Sequence, residues 1–208
     1  MSKYIVFDLD NTLIDWKDEY IYTFYNVLDK LNLKYDDKTV QKFNDLVDDY
    51  EDKYNTYTKE EFVGFLNKEC NTNLPIEFAD LLIDEQCNCF DKYTEEEIDT
   101  IKYLSNKYTL ICITNWFTKT QIERLKGAGI YQYFSIVTGG DEHPLKPSKE
   151  AFDILKDKSE CIMIGDSLKK DIYPALELGM KAILITDKDI KDSRFKTIKK
   201  ITELKEML

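Results

Sequence analysis

Tyr4-Ile5-Val6-Phe7-Asp8-Leu9-Asp10-Asn11-Thr12-Leu13 is a short apolar run that stops on two aspartates spaced by one residue. Its length and its β-branched pair, Ile5 and Val6, read as a buried parallel strand. Open α/β sheets gather their chemistry at the carboxyl ends of the strands. Two carboxylates there are costly unless a cation compensates them, and a divalent metal is the usual solution. The spacing alone carries little weight, because the chain has 40 Asp and Glu among 208 residues. Asp187-Lys188-Asp189 repeats it in what reads as a solvated loop. What sets Asp8 and Asp10 apart is their place at a strand tip, with Thr12 close behind.

Three later segments supply matching chemistry. Tyr108-Thr109-Leu110-Ile111-Cys112-Ile113-Thr114-Asn115 is a second apolar run that ends in small polar groups. Lys146-Pro147-Ser148-Lys149 follows a loop and is expected to open a helix over about 148–156. Cys161-Ile162-Met163-Ile164-Gly165-Asp166 reads as a strand, and Ser167 to Asp171 lead from it into a further helix.

The formal net charge of −11 and a pI near 4.7 argue against nucleic acid, whose phosphates demand a basic face, and against anionic membranes. No apolar stretch approaches the length of a membrane-spanning helix, and Asp8 interrupts the start before a signal-peptide core forms, so the expected location is the cytoplasm. Cys70, Cys87, Cys89, Cys112 and Cys161 contain no C-x-x-C pair. With His143 as the single histidine, the Cys87-x-Cys89 pair lacks partners for zinc, and reduced thiols fit best.

Residues 15–92 show helical periodicity and no convincing strand. Ile21, Phe24, Leu28 and Leu31 form one stripe, and Val40, Phe43, Leu46 and Val47 another. Thr58 with Glu61 suggests a capping box before Phe62 and Phe65, and Pro75 suits the first residue of a helix carrying Phe78, Leu81, Leu82 and Phe90. From residue 93 onward, strands near 109–113, 134–138, 161–165 and 181–185 alternate with helices: one opened by a Thr94–Glu97 capping box and carrying Ile98, Ile101 and Leu104, one near 118–127, one ending at Gly179, and a short one near 202–207. That alternation predicts a parallel sheet covered on both faces.

Acid pair, hydroxyl-amide, lysine and acid pair, in that order from Asp8 to Asp171, resemble the four motifs of the haloacid dehalogenase-like superfamily, and the chain looks like its phosphatase branch. The resemblance implies a Rossmann-like three-layer α/β core with strand order 5-4-1-2-3. It also implies a helical C1-type cap inserted after the first motif: core 1–14 and 93–208, cap 15–92. By the same resemblance Asp8 is the nucleophile and Asp10 the acid and base. Mg²⁺ is then held by the Asp8 carboxylate, the Asp10 carbonyl and Asp166. Thr114 and the amides near Asn115 would bind phosphoryl oxygens, and Lys146 would place a cation against them. Thr12 and Asp171 support the site, Asp171 by orienting Lys146 or holding a metal-bound water, or else as a helix N-terminal charge.

The expected activity is hydrolysis of a small phosphate ester of nucleotide, sugar phosphate or phosphoglycolate type, by a monomer or weak dimer. A phosphomutase or phosphonate hydrolase of the same fold, or a phosphate-binding module without turnover, are the alternatives. Keeping an acid at position 10 separates the chain from haloalkanoate dehalogenases, whose halide needs no proton. Trp16 and Tyr20, just after the first motif, are the aromatics expected to face substrate, while the remaining cap aromatics read as core. Trp116 either lines the mouth or packs under the flap, and His143 reads as a loop residue near Lys146.

Overall fold

The computed structural model describes residues 3–208. Strand β1 (Tyr4–Phe7) pairs in parallel with β2 (Thr109–Ile113) on one side and with β4 (Cys161–Gly165) on the other. β3 (Phe134–Thr138) extends the β2 edge, and β5 (Lys181–Ile185) the β4 edge. The expected order 5-4-1-2-3 is therefore present. A sixth strand that the sequence reading missed, β6 (Lys196–Ile198), pairs with β5. With three residues, two of them exposed and one a lysine, β6 has no apolar run to announce it.

Alternate residues of a strand face opposite sides of the sheet, and β1 shows why its apolar run is unbroken. Ile5 and Phe7 join a cluster with Leu110, Cys112, Ile162 and Ile164 under α5 (Glu95–Lys107) and α6 (Thr118–Ala128). Val6 joins Ile111, Ile113 and Met163 on the other face, against Phe152, Leu155 and Ala175 of the opposite layer. Each such apolar side chain contributes about 1.5–3 kcal/mol when fully buried.

Helices α1 (Tyr22–Lys30), α2 (Asp37–Lys53), α3 (Lys59–Cys70) and α4 (Glu77–Gln86) follow one another between β1 and α5. Their stripes meet in one cluster containing Phe24, Val40, Phe43, Tyr50, Phe62, Phe65, Phe78 and Leu82. Tyr50 stacks on Tyr54 and Tyr57 at centroid distances of 4.4 and 4.6 Å, so most of these aromatics are packing. The cluster continues into Trp116, Phe117 and Leu145 of the α/β part. Two backbone hydrogen bonds join the parts there, Tyr57 N to Gly140 O and Leu145 N to Asn55 O, both 2.7 Å.

Local expectations meet several corrections. Thr94 and Glu97 close a complete capping box, whereas Thr58 caps α3 only through its own oxygen on the Glu61 amide. Pro75 lies two residues before α4 and supplies a carbonyl to Phe78 N, and Phe90 lies beyond that helix, packed under the sheet. The helix expected over 148–156 is only a 3-10 turn, Lys149–Phe152, because Ala151 and Phe152 already reach the sheet from a single turn. The helix after β4 begins as a π turn, Leu168–Ile172, before α7 (Tyr173–Glu177), and the tail ends in a 3-10 turn and α8 (Leu204–Met207).

Candidate active site

In-register pairing of Phe7 with Cys112 and with Ile164 brings three strand tips together. Asp8, Thr114 and Asp166 therefore leave neighbouring strands at one edge, and Asp8 N bonds to Ile164 O at 2.9 Å. They border a cavity of about 480 Å³ between the sheet edge and the helices. Asp10, Asn115, Lys146 and Asp171 line it from below, and Asn44, Asp45, Asp48 and Glu51 of α2 from above.

Lys146 lies at the floor, 2 % exposed, with Nζ 2.6 Å from both Asp8 Oδ1 and Asp171 Oδ1. Its main chain is clamped by Asn115, whose Oδ1 accepts from Lys146 N at 2.8 Å while Nδ2 donates to Lys146 O at 3.0 Å. Asn115 Nδ2 also donates to Glu51 Oε2 at 2.8 Å, so the Asn115 side chain is occupied in holding the lysine and α2. Asp171 is 1 % exposed inside the π turn and accepts Ser167 N at 3.1 Å, which makes it a buried part of the site rather than a surface helix charge. Gly165 is required by this packing: a Cβ there would lie 2.4 Å from Asp171 Oδ2. Thr12 Oγ1 donates to Asp8 Oδ2 at 3.3 Å across the turn after β1.

Carboxylate oxygens of Asp8, Asp166 and Asp171 lie within 4.8 Å of one another. An all-oxygen, all-anionic donor set of this kind fits Mg²⁺ or another hard cation, and among the described residues no cysteine or histidine group competes with it. Burial pushes the Asp8 carboxyl up to about 8 against the pull of Lys146, with Asp171, Asp166 and Asp10 adding to the rise. Burial and then Asp171 push Asp166 up to about 6. For Lys146, burial alone would lower the pKa, but Asp171 and Asp8 together raise it, so the ammonium stays charged. A divalent cation among the three acids would stabilise their ionised forms.

The Asp10 carboxylate, expected as the acid and base while only its carbonyl was expected at the metal, has partners that the sequence reading did not name. It stands outside the three-acid group and turns to α6, where Arg124 Nη1 lies 2.5 Å from Oδ1 and Gln121 Nε2 donates to Oδ2 at 2.7 Å. Gln121 Nε2 also donates to Thr114 Oγ1 at 2.8 Å. Arg124 and Gln121 are fully buried, and the sequence reading assigned neither a role. A signal existed: both fall on the face of α6 that carries Leu125 and Ala128, where an arginine is out of place unless paired. Glu51 and Lys170 were missed too. They pair at 2.8 Å, Glu51 from α2 and Lys170 from the π turn after β4, and both line the cavity.

Trp16 lines the cavity, but Tyr20 does not: it is buried edge-on against Trp16, 5.3 Å between centroids, so only the first of these two aromatics is placed to meet a ligand. Trp116 both borders the cavity and packs against Tyr57 and Phe62 at 5.0 and 5.5 Å. His143 is buried, its Nδ1 2.8 Å from Pro144 O, and is not part of the lining.

Among solved structures, the magnesium-bound HAD-hydrolase YfnB of Bacillus subtilis superposes with a TM-score of 0.75 at 20% identity, over 99% of this chain and 98% of that one. The N-acylneuraminate-9-phosphatase of Rattus norvegicus is 32% identical over 101 residues, 45% of this chain and 41% of the relative. The glyceraldehyde 3-phosphate phosphatase of Methanocaldococcus jannaschii is 36% identical over 104 residues, 44% and 45% of the two chains. The matched stretch thus spans less than half the length of these curated relatives. The model of the haloacid dehalogenase-like hydrolases, in contrast, matches residues 5–185, from the first residues of β1 to the last of β5. With that match and the shared fold, the chain belongs to the haloacid dehalogenase-like hydrolase family.

Proposed function

We propose that the chain is a Mg²⁺-dependent phosphatase of small phosphorylated metabolites that works through a phosphorylated Asp8. The observation that carries this reading is Asp8 on the cavity floor beside Lys146, with Asp166 and Asp171 adjacent and a second acid, Asp10, in the same lining. An Asp8 oxygen attacks phosphorus, the ester P–O bond breaks, and Asp10 gives its proton to the departing oxygen. Asp10 then takes a proton from water, whose oxygen attacks the phosphorylated Asp8 to release phosphate and restore the carboxylate. Lys146 balances charge on Asp8 and on the phosphoryl oxygens, and Thr114 with the neighbouring amides orients them. Asp8, Asp166 and the Asp10 carbonyl would hold the metal, with Asp171 beside them; when bound, Mg²⁺ neutralises phosphoryl charge and keeps the nucleophile ionised.

The helices over 15–92 act, in this reading, as a cap that selects the leaving group. Supporting contacts join α2 to the turn after β4: Lys170 to Glu51 at 2.8 Å and to Asp48 at 3.1 Å within the cavity lining, and Lys169 to Asp52 at 2.6 Å on the exposed surface beside it. Asp45, Asp48 and Glu51 of α2, with Asp18 of the turn before α1, outnumber Lys170 in the lining and would repel a carboxylate-bearing leaving group, so a neutral polyol such as a sugar fits better than glycolate. The test is a screen of phosphorylated metabolites with purified protein, measuring Mg²⁺-dependent phosphate release. Sugar phosphates ahead of phosphoglycolate support the proposal. Isomer formation in place of phosphate release would make the chain a mutase, and no turnover on any ester, a chromogenic aryl phosphate included, would reject catalysis.

A further inference from the structure

The chain passes between the sheet and the four helices twice, by the segment after Ile14 and by the segment before α5. These crossings run side by side: Tyr93 OH on the second donates to Leu13 O, just before the first, 2.5 Å away. Arg124 touches both. Its guanidinium carbon lies 5.1 Å from the centre of the Trp16 ring on the first crossing, and Nε donates to Cys89 O on the second at 2.7 Å. The same guanidinium, 0 % exposed, grips Asp10 Oδ1 through Nη1, and Nη1 also donates to Gln121 Oε1 at 2.7 Å. Gln121 completes the clamp by joining Asp10 Oδ2 to Thr114 Oγ1.

Burying an arginine is costly and needs several partners to offset it. Here those partners are the backbone of one crossing, the aromatic ring of the other, and an acid of the site. A surface charge pair would not need such an arrangement, nor would a helix whose only task is to cover the sheet. Each Asp10 oxygen receives one hydrogen bond from the clamp and keeps a lone pair free, and the side chain remains 30% exposed toward the cavity it lines.

We infer that Arg124, assisted by Gln121, is a positioning residue for Asp10. Its guanidinium sets the direction of the Asp10 carboxylate relative to the two crossings, so the acid reaches the leaving oxygen only when the helices stand in their present relation to the sheet. This rests on the reading of Asp10 as the proton donor. A misdirected donor harms an ester according to how badly its leaving group needs the proton. Alkoxide departure depends on it, whereas 2,4-dinitrophenolate leaves unaided.

The experiment is first-turnover kinetics of wild type, Arg124→Lys, Arg124→Gln and Gln121→Met with Mg²⁺, comparing dinitrophenolate release from 2,4-dinitrophenyl phosphate with alcohol release from glycerol phosphate. In the Arg124 variants alcohol release should fall by about 100-fold or more, the range of general acid catalysis, while the dinitrophenolate burst changes by less than about threefold. Gln121→Met keeps the buried charge pair and should show the same selectivity with a loss of about tenfold. It serves as the decisive variant where thermal melts show the Arg124 variants to be unfolded. Equal losses with both esters, or none with either, overturn the positioning role while wild-type turnover stands. A wild-type protein that releases neither product overturns the phosphatase reading and the inference together.

Discussion

Lys146→Met tests the electrostatics of the site through stability as well as rate. The lysine is 2 % exposed and its Nζ sits 2.6 Å from two carboxylates that are themselves 7 % and 1 % exposed. Methionine keeps most of the volume and removes the cation. Breaking a buried ion pair on one side costs about 3–5 kcal/mol, which for a chain of this size lowers Tm by about 6–20 °C. The loss depends on pH with a defined sign. Asp8 has a folded pKa of about 8, above its ordinary 3.8, so between those values the folded state holds a proton that the unfolded state has released. Stability from this group is full below about 3.8 and is lost as pH rises through about 8. Removing Lys146 removes the one neighbour that pulls Asp8 down, so the penalty of the variant should grow from pH 5.5 to pH 9. The assay is thermal unfolding by circular dichroism in chelator at several pH values, with phosphate release in Mg²⁺ alongside. Turnover should drop by at least about 100-fold. A variant that melts within about 2 °C of wild type at pH 9 would refute the ion-pair reasoning, since that corresponds to less than ~1 kcal/mol.

Asp8→Asn keeps the shape of the proposed nucleophile and removes its anionic oxygen; turnover should vanish while the melting curve persists, and activity within about tenfold of wild type would remove Asp8 from that role. Chelation should abolish phosphate release and Mg²⁺ restore it, with Asp166→Ala shifting the rescue to higher Mg²⁺; full activity in excess chelator would reject the metal. Gly165→Ala should displace Asp171 from Lys146, because the new methyl would lie 2.4 Å from Asp171 Oδ2; a loss of turnover with α/β circular dichroism retained is expected, and unchanged kinetics would show that the contact relaxes freely. Trp16→Ala should change KM unequally among substrates and least for a small aryl phosphate, and an unaltered ranking would mark Trp16 as packing.

Much of the molecule is written in local pattern. Unbroken apolar runs in β1, β2 and β4 announce strands buried on both faces, because both faces need covering at every residue. Their polar ends place Asp8, Thr114 and Asp166 at one edge as soon as the strands are parallel and adjacent. The stripes of α1 to α4 announce helices, because one face must be apolar to pack. Where periodicity is absent the sequence is silent: β6 has only three residues, and the turn at Lys149–Phe152 needs no helix to reach the sheet.

What the sequence alone cannot decide is which side chains meet across distant segments. Lys146 with Asp171, Glu51 with Asn115 and Lys170, and Arg124 with Asp10 are separated by 25 to 119 residues. In a chain with 40 acidic and 29 basic residues, composition offers each of them many equivalent partners. Only the packing of α2, α6, the Lys146 loop and the turn after β4 around one cavity selects among them. A charge is tolerated in the interior only where tertiary structure supplies its counterpart. The acid pair of Asp8 and Asp10 could thus be read from one strand, while the partners that surround it are a property of the folded chain.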